Sequence, residues 1–221
     1  MTHSESEENY LKAVFMLSTA DGQPVSTGAI AQYLSVQAAS VTEKLNRMAT
    51  KGLIDYRKSR GAVLTETGRS TALQIIRKHR LWELFLTEKL GFKWDEVHDL
   101  AEQLEHIASE ELISRLDQSL GFPTADPHGD PIPDARGHMP ATGGNMLSHA
   151  EVNNTYEIIS VRDSSAVFLR YLDKLNIALG QQLYVQQIED FDGSVEFKTA
   201  DGRTLVLSRE AASNLMVKKA N

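Results

Sequence analysis

Five of the chain's six prolines fall between Pro123 and Pro140, interleaved with Gly129 and Gly137 and followed by Gly143 and Gly144. Proline fixes φ and withholds an amide, so neither a regular helix nor a central strand is expected to cross this stretch. The chain therefore has to fold as two blocks of regular structure joined by a connector over residues 121–154. Before the connector, apolar residues recur at helical spacing. After it they alternate in short runs bounded by turn dipeptides. The expected fold class is mainly α with small β parts. It comprises an N-terminal winged helix-turn-helix (residues 1–73), a helical dimerisation domain (74–122), a Pro/Gly-rich linker (123–153) and a C-terminal SH3-like β-barrel (154–221).

In the first segment, Ser4 and Glu7 form a capping-box pair ahead of a helix over about residues 5–19 that carries Leu11, Val14, Phe15 and Leu17. Asp21 to Pro24 breaks it. A short helix from Ser26 to Leu34, a tight turn at Ser35 and Val36, and a second helix from Gln37 to Lys51 make a helix-turn-helix, whose second helix enters a DNA major groove. Val41, Leu45 and Met48 form its buried side. Gln37, Ala38, Ala39, Ser40, Thr42, Lys44 and Arg47 form the DNA-reading side, where small residues allow close approach and polar ones reach bases or phosphates. Leu53–Arg57 and Ala62–Thr65 then read as a hairpin wing with Arg57, Lys58 and Arg60 at its tip. Net charge is −7 overall, yet from Gln37 to Arg69 seven basic side chains face three acidic ones. A basic patch on an acidic chain is the electrostatic footprint of a nucleic-acid surface.

The second segment carries the chemistry. Residues 95–120 read as one long helix. At about 100° per residue, with His98 at zero, Glu102 lies near 40°, Glu105 near −20° and His106 near 80°. Leu100, Leu104 and Ile107 occupy the opposite side. Carboxylates and imidazoles crowded on one stripe repel or titrate unless a cation neutralises them, and a divalent metal does so. His79 and Glu83, at i and i+4 on the preceding helix (Glu66 to Lys89), share a face in the way metal-binding pairs do. Around them Trp82, Leu84, Phe85 and Leu86 supply more apolar surface than two helices can hide, which points to a symmetric dimer. In the linker, Asp126 and His128 flank a proline as a further pair of ligands, whereas His138 and His149 read as solvated. The last segment alternates as strands at 156–161, 183–188, 195–199 and 204–207, with a helix capped by Asp163 inserted and a short closing helix near residue 210.

The chain has no cysteine, which removes thiolate ligands and disulfides and leaves a nitrogen and oxygen donor set. Such donors favour Mn(II) or Fe(II), with Zn(II) open. An acidic N-terminus and the absence of a long apolar run point to a cytoplasmic protein with no membrane partner. A metal-dependent hydrolase built on the stripe is the competing enzyme class. Against it, Glu102 to His106 lacks the second histidine of the HExxH spacing. A third reading keeps the DNA-binding regulator but makes the polar stripe structural, with an effector that is not a metal.

Together, ENYLKAVFML, RKHRLWELFL, VHDLAEQLEH and DPHGDPIPD resemble the diphtheria-toxin-repressor and manganese-transport-regulator family of metal-dependent transcription factors, across essentially the whole chain. The resemblance implies a homodimer that binds palindromic double-stranded operator DNA when loaded with Mn(II), or alternatively Fe(II), and represses metal-uptake genes. It implies no catalytic residue and no small-molecule substrate. It also implies metal ligation by His79, Glu83, His98, Glu102, Glu105 and His106. Asn9 stands at a further ligand position that holds methionine or aspartate in the family. Asp126, His128 and Asp163 resemble linker and C-terminal ligands of full-length manganese regulators. Glu102 matches the glutamate of manganese regulators where the iron-responsive branch has cysteine. Lys12 departs from the glutamate those regulators carry.

Overall fold

A computed structural model describes residues 3–19, 21–141 and 143–220. The chain divides into two compact units that interleave along the sequence. The first comprises residues 1–79, 102–114 and 133–139; the second comprises 80–101, 115–132 and 140–221.

The first unit is built on a helix-turn-helix with a wing. Helix α1 (Glu5–Leu17) starts from the capping box, with the Glu7 amide on Ser4 Oγ and the Ser4 amide on the Glu7 carboxylate. Helices α2 (Thr27–Tyr33) and α3 (Ala38–Thr50) are joined through Ser35, whose φ of 53° makes the tight turn. Strands β1 (Ile54–Arg57) and β2 (Gly61–Leu64) pair antiparallel as the wing. Gly61 is obligatory there. At φ 108° a Cβ would lie 2.3 Å from the Val25 carbonyl oxygen, across the bridge that ties the wing to the segment before α2. The core contains Leu11, Val14, Ile30, Val41, Leu45 and Met48, all 0% exposed. At about 1.5–3 kcal/mol per large apolar side chain, this cluster holds the exposed face of α3 in a fixed orientation.

Thr65 begins α4 (Glu66–Leu90), its hydroxyl accepting from the Gly68 amide. The expected continuous helix over 95–120 is two helices, α5 (His98–Leu104) and α6 (Glu110–Ser119). The cause is local. Ser109 Oγ accepts from the Leu112 amide, and Glu110 and Glu111 follow in the first turn, so a helix start interrupts the apolar periodicity. Glu105 and His106 therefore sit in the turn after α5 and not on a helical stripe.

The second unit holds a six-stranded antiparallel sheet in the order β3–β8–β4–β5–β6–β7, formed by β3 (Asn145–Met146), β4 (Asn154–Val161), β5 (Gln182–Ile188), β6 (Val195–Thr199), β7 (Thr204–Leu207) and β8 (Leu215–Lys219). This is the SH3-like part, and Asp192-Gly193 and Asp201-Gly202 turn its strands as expected. Helices α7 (Ala166–Leu175) and α8 (Arg209–Ser213) cover a core of Leu169, Leu172, Val185, Phe197, Leu207 and Leu215. Three local expectations are corrected. Asn145–Met146 lies within the segment read as linker but is an edge strand on β8. Leu215–Lys219 is a strand paired on both sides, too short and too close to α8 to show its own alternation. Helix α7 is capped by Ser165, which accepts from the Phe168 amide, while Asp163, two residues earlier, accepts from the Ser165 amide.

Candidate metal centre

In the first unit, α1, the middle of α4, the end of α5 and the turn after it bring Lys12, His79, Glu102 and Glu105 together. Glu105 is the pivot and is fully buried. Its Oε2 lies 2.6 Å from His79 Nδ1 and accepts from Lys12 Nζ at 2.7 Å. Lys12 also donates to Glu102 Oε1 at 2.6 Å and lies 3.2 Å from His79 Nδ1. Burial alone would raise the Glu105 carboxyl, but the His79 hydrogen bond and the Lys12 charge outweigh it and hold the group below its ordinary value.

The other side of Glu105 is unsatisfied. Its Oε1 is buried without a hydrogen-bond partner, and so is Oδ1 of Asn9 on α1. His106 Nε2 lies 3.9 Å from that carboxylate oxygen. His106 Nδ1 is engaged by Glu8 Oε2 at 2.6 Å, which orients the ring and leaves Nε2 as the available nitrogen. Unpaired buried acceptors are costly, and a carboxylate oxygen with an imidazole nitrogen 3.9 Å away is a pair that a divalent ion satisfies, with the Asn9 amide oxygen a further orphaned acceptor of the same unit. The residues present fit a metal.

The second unit holds a separate cluster. Ligand atoms of Glu83, Asp126 and His128 all lie within 4.8 Å of one another, and all three residues are buried. Glu83 Oε2 is 3.6 Å from His128 Nδ1, and Glu83 Oε1 is 3.4 Å from Nδ1 of the half-exposed His98. His128 Nε2 donates to the Trp94 carbonyl at 2.8 Å, and its ring stacks on the Trp94 indole. The loop is fixed by Asp126, whose Oδ1 accepts from the amides of His128 (2.8 Å) and Asp130 (3.0 Å). At Gly129, φ is 82° and a Cβ would be 2.1 Å from the Ile159 carbonyl oxygen, so the loop lies against β4 without a side chain between. Burial works against the charged His128 imidazole. Glu83 beside it, with Asp126 and the Trp94 carbonyl, nevertheless carries its pKa up to about 9. Burial, then the charges of Glu83 and Asp130, push Asp126 up to about 7 against Arg80 and His128. Asp163 lies two residues beyond Val161, whose amide donates to the His128 carbonyl at 2.9 Å.

Glu8, Arg80, Asp130 and the cationic role of Lys12 were not legible in the sequence. Their partners lie as far as 98 residues away for Glu8, 50 for Arg80 and Asp130, and 93 for Lys12 with Glu105, so no local spacing announces them. His138 pairs with Asp134 on the surface and His149 is exposed.

The nucleic-acid candidates lie on α3 and the wing. Gln37, Ala38, Ala39, Ser40 and Arg47 are exposed, Thr42 and Lys44 half-buried, and Gln37 caps α3 without using its side chain. Arg47 is paired with the equally exposed Glu43. Arg57, Lys58 and Arg60 crown the wing turn, which is closed by the Arg60 amide on the Arg57 carbonyl.

Comparison with known proteins follows the same divisions. The sequence profile of the iron-dependent repressor N-terminal DNA-binding domain matches residues 2–62. The profile of the iron-dependent repressor metal-binding and dimerisation domain matches 65–134, and that of the FeoA domain 146–219. A solved manganese-dependent transcriptional repressor in complex with manganese is 36% identical, with a TM-score of 0.89 over 97% of this chain and 100% of that one. The chain belongs to the iron-dependent repressor family. That family consists of metal-dependent transcriptional repressors and not enzymes, with DNA-binding and dimerisation domains. Among curated iron-dependent repressor relatives, IdeR of Mycobacterium tuberculosis is 36% identical over 129 residues, which is 58% of this chain and 56% of IdeR. The diphtheria toxin repressor of Corynebacterium diphtheriae is 34% identical over 57% of its length. The chain thus spans a little over half the length of these curated relatives. The manganese regulator SloR superposes with a TM-score of 0.80 at 31% identity, covering 97% of this chain and 98% of SloR. Among the described residues no helix is long and apolar enough to cross a membrane.

Proposed function

We propose that this chain is a metal-activated repressor that binds palindromic double-stranded operator DNA as a homodimer, with Mn(II) as effector and Fe(II) as the alternative. The observation that carries this reading is the pair of orphaned buried acceptors, Asn9 Oδ1 and Glu105 Oε1, in the same unit as the winged helix. Asn9, Glu105 and His106 would hold the ion, with Glu102 beside them on Lys12; it supplies a divalent charge that satisfies donors on α1 and after α5 together. The sulfur-free donor set and the glutamate at position 102 support Mn(II) over softer ions. In the second unit Glu83, Asp126 and His128, with His98 on Glu83 and Asp163 two residues beyond the Val161 that bonds the His128 backbone, are the proposed second ligand group. The limits read from the sequence are kept for the DNA-binding (1–73) and dimerisation (74–122) parts, and the SH3-like part is taken to begin at β3 instead of at residue 154.

The chain's own residues supply the path to DNA. Helix α1 carries Glu8, Asn9 and Lys12 at the cluster, and Glu7, which accepts from Lys51 just beyond α3 at 2.5 Å. Order imposed on α1 is thereby passed to the helix that presents Gln37 to Arg47. Two such helices, about 34 Å apart across a dimer, would meet successive major grooves. Metal and operator must then strengthen each other's binding equally, by roughly 5- to 150-fold for a coupling of about 1–3 kcal/mol. Operator binding followed by fluorescence anisotropy, with metal-free protein titrated with Mn(II), Fe(II) without oxygen, and Zn(II), tests the proposal. Equal affinity with and without every ion would sink it.

A further inference from the structure

Three potential ligand side chains in the first unit already surround a cation. Donor atoms of His79, Glu102 and Glu105 lie within 4.8 Å of one another, the spacing of a ligand set. Inside that cradle stands Lys12 Nζ, 2.6 Å from Glu102, 2.7 Å from Glu105 and 3.2 Å from His79. The lysine is only 7% exposed, so its ammonium is built into the cluster and is not a surface charge that happens to lie near it. An ammonium is a compact point charge with three donors, and here two carboxylate oxygens accept from it while His79 Nδ1, which donates to Glu105, packs beside it.

We infer that Lys12 is a tethered counter-cation that closes the His79–Glu102–Glu105 cradle to metal and restricts the first unit to one ion, held on the side of Glu105 Oε1 that faces His106 Nε2. A divalent ion and an ammonium cannot share a cradle this small, because each needs the same carboxylate oxygens and each repels the other. Glu105 therefore works in two directions: Oε2 is committed to Lys12 and His79, and only Oε1 remains for an ion. Lys12 also ties α1 to the turn after α5 before any metal arrives, so the metal-free chain keeps part of the order that the ion completes. The inference rests on the metal-sensor reading of the same site and specifies how many ions that site takes and which donors remain open.

The test counts ions on the full chain. Wild type, Lys12→Glu and Lys12→Gln are loaded with Mn(II), desalted and analysed for bound metal per protomer, with titration calorimetry alongside. Both variants should bind one more ion per protomer than wild type, since removing the ammonium opens the cradle. Identical stoichiometry in folded variants would overturn the inference. Acylation of wild-type lysines, read by mass spectrometry, keeps the test decisive if the variants do not fold. Lys12 should stay at background reactivity with and without Mn(II), and a tenfold or greater rise on adding Mn(II) would show that the ion displaces it. A wild type that takes no ion through Glu105, judged by Glu105→Gln binding as much metal as wild type, refutes the sensor reading instead. An extra ion in Lys12→Glu is independent of that outcome.

Discussion

Glu102 and Glu105 each accept one short hydrogen bond from Lys12, yet neutralising them should have very different consequences in the metal-free chain. The Glu105 side chain is 0% exposed and also lies 2.6 Å from His79. The Glu102 side chain is 37% exposed. Glu105→Gln leaves a buried ammonium with a single, partly solvated carboxylate partner. Removing one member of a buried ion pair costs about 3–5 kcal/mol, and the surviving Glu102 contact places this case at about 3. Glu102→Gln leaves the buried Lys12–Glu105 pair intact and removes a contact screened by water, worth about 0–1 kcal/mol. The difference of about 2 kcal/mol corresponds to roughly a 30-fold change in a local opening equilibrium. Amide hydrogen exchange on the α1 peptide, residues 5–17, reads that equilibrium directly, because α1 carries Lys12. Protection should fall by about two orders of magnitude in Glu105→Gln and by less than tenfold in Glu102→Gln. Equal losses in the two variants would refute the reasoning, because they would show that burial does not decide the strength of this network.

Metal uptake by the Glu83–Asp126–His128 cluster should release protons. With its pKa up to about 9, His128 enters neutral solution protonated and must lose that proton to ligate, and Asp126 at about 7 adds a second proton below neutrality. Calorimetry in buffers of different ionisation heat should therefore give about one proton per ion between pH 7 and 9, and no buffer dependence would contradict it. In the metal-free chain the same imidazolium stabilises the fold fully below about pH 6.5, its unfolded value, and that contribution disappears as pH rises through about 9. Arg57→Ala, Lys58→Ala and Arg60→Ala should each weaken operator and random DNA alike and lower the salt slope of binding by about one. Gln37→Ala should instead alter the preferred bases, and unchanged sequence preference would remove Gln37 from direct readout. Gly129→Ala, which forces the loop off β4, should lower ion affinity at the second unit's cluster by roughly tenfold or more, while leaving the first unit's ion titration unchanged.

The winged helix was legible because its signals are local: a capping box at Ser4 and Glu7, a turn at Ser35, and a helix whose buried residues repeat at Val41, Leu45 and Met48. The strands after the linker were legible where Asp-Gly turns bound them. Helical periodicity misled at residues 95–120, since Leu104, Ile107 and Ile113 continue an apolar pattern across a turn that Ser109 begins anew. Strand β8 was missed because its burial comes from pairing with β3 and β4, which five residues cannot announce. At the cluster itself, residue types pointed to metal chemistry, but the division of labour did not follow from them. Whether Glu105 faces a lysine, an ion or both depends on α1 arriving from more than ninety residues away.

Helix α1 has a property that no single side chain reveals. Glu7 is engaged by Lys51, Glu8 by His106, and Lys12 by Glu102 and Glu105, so successive positions of one helix are committed to different neighbours around its circumference. Inserting or deleting one residue between Glu8 and Lys12 would rotate everything beyond it by about 100° and shift it by about 1.5 Å. The engagements before and after the change could then no longer hold together. Glu5, Ser6 and Met16 are exposed and free to vary in kind. The helix is thus permissive in composition on its outer side and intolerant in phase, like a key whose teeth may be recoloured but not respaced.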